Sequence, residues 1–309
     1  MFREVSLTDR EWMESCRGKS MQEMTVISFP AVYTWQSTFG LTIDGDERFY
    51  VVRSEYDGGY YYPVGDTAAC RSYVMSLLQE EDRMDAPGQK HSGRLSGSGA
   101  RNSSGKLKLV YVPESELEWL ETMGFEITCE PSTSEYVYSS RSLALMDNAS
   151  GTNYRVKIRH FSRDCEWSVR ELAFPQDTEM LLEKTKIREL PSGHAAEDDH
   201  QALLSALRDP AATGFSGIYI ETKDGEWAYL LGYPSTDRIY DQSFVKYSPR
   251  ISRNVVPVCI SEMAKLVCDK YPYINLEDDL GIPGLRNMKM LYHPVFLLDS
   301  YTACIERQR

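Results

Sequence analysis

Three carboxylates stand side by side at Glu277-Asp278-Asp279, and two cations, Arg286 and Lys289, follow across a Gly281-Ile282-Pro283-Gly284 turn. Like charges crowded together raise at least one carboxyl pKa, which is how a protein makes a general base that works near neutrality. Glu277 and Asp278 are therefore candidates for that base, or for holding an ammonium group. Arg286 and Lys289 fall three apart on one face of a short helix predicted from Leu285 to Leu291, where they can pair with the acids. A plainer reading of the same residues is structural. Asp279 alone would complement a helix dipole, and Arg286 tied to Glu277 or Asp279 would fasten the last helix to its sheet.

A second group is basic. From Gly151 to Arg170 the chain carries Arg155, Lys157, Arg159, Arg163 and Arg170 against only Asp164 and Glu166, on a protein whose 34 Lys and Arg face 46 Asp and Glu for a net charge of −12. Such a stripe can draw a phosphate-bearing ligand by its local field, or it can be a solvated helix face. The overall charge speaks against duplex DNA as a partner, and an anionic membrane surface would repel it.

These residues need a scaffold. At roughly 150 residues per domain, 309 residues predict two domains, with the expected division at 1–130 and 131–309. A hydrophobic content of 42% suffices for ordinary cores. No apolar run reaches the roughly 18 residues of a membrane helix, and the N-terminus carries acids where a signal peptide would be apolar. A cytoplasmic location is expected, without an integral membrane segment. The seven cysteines form no close pair, and the five histidines are scattered; neither a disulfide framework nor a metal site is expected.

In the first half, Phe49–Arg53 and Gly59–Val64 read as strands about an Asp57-Gly58 turn, with helices around Val74–Leu78 and Leu117–Met123. A Gly/Ser-rich loop, expected to be disordered, occupies 87–106. Cys129 to Ser134 is the expected joint. The second half repeats the pattern. Helices are predicted around Leu181 and Leu203–Leu207. Gly217–Glu221 and Trp227–Leu231 form a hairpin through Asp224-Gly225, and Arg238–Tyr247 can be a third strand. A helix with Val255, Cys259, Ile260, Met263 and Val267 on its apolar face comes next, then short strands at Tyr273–Leu276 and Val295–Leu298. Strands alternating with helices indicate an α/β fold with mixed sheets.

The stretch from Asn275 to Pro294 resembles the closing motif of a bacterial family related to the C-terminal domain of phosphatidylglycerol lysyltransferase. It holds an acidic pair, Leu280-Gly281-Ile282, Gly284-Leu285-Arg286, Lys289 and Tyr292-His293-Pro294. Weaker landmarks occur in matching order at Tyr33-Thr34-Trp35, Tyr61-Tyr62-Pro63-Val64-Gly65 and Ser134-Glu135-Tyr136-Val137-Tyr138. The resemblance implies two tandem domains of the acyl-CoA N-acyltransferase (GNAT-like) fold. In better-known relatives the chemistry moves an aminoacyl group from tRNA onto a lipid or peptidoglycan amine or hydroxyl.

Two departures from the family pattern bear on the donor. The family's Lys-Arg-Asn cluster is replaced by Arg155-Val156-Lys157-Ile158-Arg159-His160-Phe161, whose alternation sets half its positions toward a core and leaves no Asn. The glycine-rich turn that cradles a CoA pyrophosphate is replaced by Ser248-Pro249-Arg250-Ile251-Ser252-Arg253-Asn254, which contains no glycine. Arg250 and Arg253 could still grip phosphate as side-chain donors.

The expected activity is an acyl or aminoacyl transfer to a small-molecule or peptide amine. Acyl-CoA or aminoacyl-tRNA would be the donor, no metal is required, and the tRNA acceptor end would be held locally by Arg155, Lys157, Arg159 and Arg163. In this scheme Arg286, Lys289 and Lys246 contact the donor's phosphate or carbonyl, and Tyr138 or Tyr292 protonates the leaving group. The alternative is a non-catalytic module that holds its ligand in an interdomain cleft.

Overall fold

The computed structural model describes residues 1–20, 22–84, 106–146, 151–186 and 194–306. Apart from Lys106, the Gly/Ser-rich stretch at 87–106 lies outside the described residues. The chain divides into two compact units. One comprises Met1–Gln22, Ile27–Glu130 and Asp299–Arg309, the other Glu23–Val26 and Pro131–Leu298.

The first unit opens with helices α1 (Arg10–Lys19) and α2 (Phe29–Phe39), then strands β1 (Leu41–Asp46), β2 (Phe49–Ser54), β3 (Gly59–Tyr61) and β4 (Val64–Gly65). Helix α3 (Thr67–Met84), strand β5 (Lys106–Val112), helix α4 (Leu117–Thr122) and strand β6 (Glu126–Cys129) complete its N-terminal part. Alternating residues of β2 and β5 pack with α3 and α4: Val51, Leu107 and Leu109 join Val74, Leu77 and Leu120 in one core.

The second unit begins with β7 (Glu135–Ser139), α5 (Ser140–Leu145), α6 (Gly151–Asp164), β8 (Trp167–Glu171), α7 (Thr178–Lys186), α8 (His194–Arg208) and α9 (Pro210–Thr213). It continues through β9 (Ser216–Thr222), β10 (Trp227–Pro234), β11 (Ile239–Tyr247), α10 (Val255–Val267), β12 (Tyr273–Asn275), α11 (Pro283–Met290) and β13 (Phe296–Leu298). The last strand, β14 (Tyr301–Glu306), pairs with β5 and β6 and so belongs to the first unit's sheet; no residue pattern had pointed to it.

Among the described residues the second sheet has the order β13-β7-β12-β11-β10-β9-β8. Its β9–β10 hairpin turns at Gly225, with φ +79°, where the Asp-Gly pair predicted it. Every residue of β10 from Trp227 to Tyr233 is buried, as expected of a strand covered on both faces. Ala228 and Leu230 face the cluster holding Val255, Val258, Cys259 and Met263 of α10. On the other face, Tyr229 shares a hydrogen bond of 2.8 Å with Thr185 of α7.

Strands β11 and β12 run parallel, joined through α10, with Asp241 opposite Asn275. Between β10 and β11 the register slips: Leu231 faces Phe244 while Gly232 faces Gln242, so Ser243 is an extra residue. This bulge is possible because position 232 is glycine. A Cβ there would lie 2.1 Å from the carbonyl oxygen of Asp241 and 2.6 Å from the Tyr240 ring.

Candidate functional site: a buried carboxyl cluster

The acidic run leaves β12 and makes a tight loop with left-handed backbone at Glu277 (φ +61°) and Leu280 (φ +52°). Non-glycine residues occupy that region only where surrounding contacts hold them, and those contacts are present. The amide of Glu277 donates to Asn275 Oδ1 at 2.7 Å, and its carbonyl accepts from the Tyr136 amide at 3.2 Å. Lys289 of α11 is buried and reaches back, its Nζ donating to the carbonyl oxygens of Leu276, at 2.6 Å, and Asp278. Arg286 Nε lies 2.7 Å from Asp279 Oδ2, and Tyr136 donates its hydroxyl to the same oxygen at 2.5 Å.

The three acids of the run thus have different fates. Asp279 is fully buried, which would raise its pKa, but hydrogen bonds from Arg286, Tyr136 and the Gly281 amide hold it below the ordinary carboxylate value. It is the acid of a structural lock. Asp278 rises to about 6, through burial first, with Lys289 opposing. Glu277 rises well above the ordinary value, through burial and then the charge of Asp241. Both keep partial access to solvent, yet burial outweighs the mutual repulsion of neighbours that the sequence pointed to.

Asp241 was not anticipated. It is fully buried on β11, and burial pushes its carboxyl up to about 7, with the charge of Glu135 adding to the rise. Ser243, the bulge residue, donates a hydroxyl to Asp241 Oδ2. Among the described residues Oδ1 has no hydrogen-bond partner, and the neighbouring Gln242 side chain has none at either atom. Its advance sign was Asp241-Gln242, a carboxylate and an amide in a strand whose other residues, Ser243 and Lys246 apart, are apolar or aromatic. Glu135, the first residue of β7, is the other acid missed; it is buried, and burial raises its pKa. It sat unread inside the Ser134–Tyr138 landmark. The buried lysine among these acids has its own pKa lowered by burial, against the pull of Glu277, Asp278 and Asp241.

Other expected residues lie elsewhere. Tyr138 and Tyr292 are in the core of the second unit. The Tyr138 hydroxyl donates to the Lys289 carbonyl at 2.9 Å, and Tyr292 stacks on Tyr154 with centroids 3.7 Å apart. Burial raises both phenols further, so neither is a ready proton donor. Lys246 is buried in an ion pair with Asp199 of α8. Arg250 pairs with Glu226 at 2.7 Å.

The segment around Lys157 is a helix with its cations on a solvated face. Tyr154 and Phe161 of α6 are buried and Ile158 half-buried, while Arg155, Lys157, Arg159 and Arg163 are exposed. Lys157 Nζ lies 4.8 Å from the centre of the Tyr154 ring.

The start of α10 lies where its place after the central strands implies a CoA cradle. Its amides are already used: Val255 donates to Ser252 at 2.9 Å and Val256 to Arg253 at 3.2 Å, and Pro257 has no N–H. A pyrophosphate would find no backbone donors at these positions, so the residues do not fit that group.

Comparison with known proteins agrees with this architecture. A conserved protein of unknown function from Bacteroides thetaiotaomicron superposes with a TM-score of 0.79 at 21% identity, over 99% of each chain. A C-terminal domain described as that of a lysylphosphatidylglycerol synthetase from Agrobacterium fabrum gives 0.63 at 12%, over 97% of this chain and 92% of that one. A tandem GNAT protein from the clavulanic acid biosynthesis pathway gives 0.50 at 8%, over 100% and 99%. The fold is GNAT-like, with mixed sheets. Among curated proteins no sequence matches. Residues 99–304 match the family described as phosphatidylglycerol lysyltransferase, C-terminal, a span that takes in the whole carboxyl cluster, and the chain belongs to that family.

Proposed function

We propose that the second unit carries an acyl or aminoacyl transfer site acting on an amine, with Glu277 as the proton acceptor and Asp241 as the partner that keeps a proton available. The observation that carries this reading is the fully buried Asp241, its Oδ1 without a donor among the described residues, beside a Glu277 whose pKa is raised. Two such carboxyls favour sharing one proton over both ionising. An acceptor arriving as an ammonium gives one proton to Glu277 and becomes nucleophilic. Its nitrogen then bonds to the donor's carbonyl carbon. As the tetrahedral intermediate collapses, the ester C–O bond breaks and the second amine proton passes to the departing oxygen. The products are an amide and an alcohol, the alcohol being a tRNA 3′ end if the donor is an aminoacyl-tRNA.

Family membership supports a transferase of this class, and the occupied amides at the start of α10 favour aminoacyl-tRNA over acyl-CoA. The exposed cations of α6 are proposed to hold the donor's phosphates. A flat response of tRNA binding between low and high salt would remove them from the scheme. The decisive test incubates the protein with labelled aminoacyl-tRNAs and a panel of small amines and peptides. Glu277→Gln should cut transfer by a factor of about 100 or more while tRNA retention on a filter is unchanged. Equal transfer by wild type and variant would remove the base assignment.

A second reading, a non-catalytic ligand-binding module, is favoured by the absence of an accessible phenol at the expected positions. It predicts no transfer from any donor, and ligand binding that survives Glu277→Gln.

A further inference from the structure

Glu135 is a buried carboxylate with an unusual set of partners. It accepts from the Thr25 amide at 2.8 Å, the Thr25 hydroxyl at 2.9 Å and the Val26 amide at 3.1 Å. Its remaining donor is Asn275 Nδ2, at 2.5 Å. Thr25 and Val26 belong to Glu23–Val26, a four-residue strap that clusters with the second unit although the chain on either side of it belongs to the first. Asn275 is fully buried, and its Oδ1 accepts the Glu277 amide at 2.7 Å.

A continuous hydrogen-bond path therefore runs from the strap, through Glu135 and the two ends of one amide side chain, to the backbone of Glu277. Each link is directional. Asn275 must turn its nitrogen to Glu135 and its oxygen to Glu277, because the carboxylate only accepts and the amide N–H only donates. That orientation supports Glu277 in its left-handed conformation, and with it the direction of its side chain. A glutamine at 135 would present an NH2 group to at least one of these donors, and the path would break at that point.

We infer that Glu135 and Asn275 are positioning residues for Glu277, and that seating of the Glu23–Val26 strap sets the placement of that carboxyl. This rests on Glu277 being the working group proposed above. The strap is thereby a component of the site: with it displaced, Glu135 loses three of these hydrogen bonds, Asn275 is released to rotate, and Glu277 is freed from its left-handed turn.

Amide hydrogen exchange tests the coupling without any substrate. The Leu276 amide, bonded to the Tyr136 carbonyl at 3.0 Å, reports whether the sheet stays folded. In Asn275→Ala, the Glu277 amide should exchange at least tenfold faster while Thr25 and Val26 stay protected. In Glu135→Gln, all three should speed up. Thr25→Pro, which removes the amide and hydroxyl donors of Thr25 at the strap alone, should also accelerate Glu277, with Leu276 unchanged. Unchanged Glu277 exchange in Thr25→Pro or in Glu135→Gln overturns the inference. If Leu276 also loses protection in Glu135→Gln, the sheet has opened and Thr25→Pro alone decides.

A positioning role further requires that the titration of Glu277, followed by carbon NMR of labelled carboxyls, move toward the ordinary value in Asn275→Ala. A titration that stays in place overturns the role even if exchange is coupled. Failure of the transfer assay with these couplings intact would count against the proposed reaction and leave the coupling standing.

Discussion

Arg286 Nε and Asp279 Oδ2 are 2.7 Å apart, with the carboxylate fully buried and the guanidinium half-exposed. The asymmetry decides which partner matters more. The arginine can return to water when its acid is removed. The acid, once its arginine is removed, stays buried with the Tyr136 hydroxyl and the Gly281 amide as its donors among the described residues.

Arg286→Ala should therefore destabilise the protein by leaving the buried Asp279 carboxylate short of a donor, measured by urea unfolding at pH 7. Asp279 has a depressed pKa, so its contribution is present above the unfolded carboxyl pKa and is lost as pH falls through the folded one. The difference between wild type and Arg286→Ala should accordingly shrink on acidification below about pH 4. A difference independent of pH would mean the arginine acts through packing alone.

Asp241 predicts the opposite slope. Its folded pKa is about 7 against an ordinary 3.8, so the folded state binds the extra proton. Stability on its account is complete below the unfolded pKa and is lost as pH rises through 7. Asp241→Asn cannot ionise, and its unfolding free energy should fall less than that of wild type between pH 5 and pH 8. The gap should reach a few kcal/mol, at about 1.4 kcal/mol per tenfold change in proton affinity. Parallel pH profiles for the two proteins would show that this carboxyl is ionised in the folded state throughout.

Gly232→Ala tests the bulge. The new methyl would meet the Asp241 carbonyl oxygen at 2.1 Å, and backbone cannot yield as a flexible side chain would. Loss of about 3 kcal/mol or more is expected on thermal or urea unfolding. Gly225→Ala is a useful contrast: its φ of +79° strains an alanine, but nothing lies within 4 Å of the added carbon, so about 1 kcal/mol is expected.

Coenzyme A should not stabilise the protein through the start of α10. A thermal-shift titration to millimolar CoA should leave the midpoint unchanged, since a ligand that binds the folded state raises it by mass action. A shift abolished by Arg253→Ala would show that side chains replace the missing backbone donors.

Local chemistry wrote much of this protein plainly. The Asp224-Gly225 hairpin, the apolar face of α10 and the short helix after Gly281 follow from turn geometry and helical period, which depend on neighbours in the chain. The pairing of Arg286 with the acidic run was legible for the same reason, since seven positions separate Arg286 from Asp279.

What sequence spacing did not carry is the membership of the carboxyl cluster. Glu135 and Asp241 come from strands far from Glu277 in the chain, and only the sheet order β7-β12-β11 sets Asn275 between Val137 and Asp241. Tyr138 and Tyr292 looked like proton donors because residue type does not reveal which side chains the core covers. The Lys157 stretch alternates basic and apolar residues locally, but the set it buries, Tyr154, Ile158 and Phe161, follows the helical period of α6. Residue identity determined which groups could ionise. Only the tertiary structure decided which of them lost their water, and it is that loss of solvation that raises Asp241 and Glu277 while Asp279, with its arginine, stays charged.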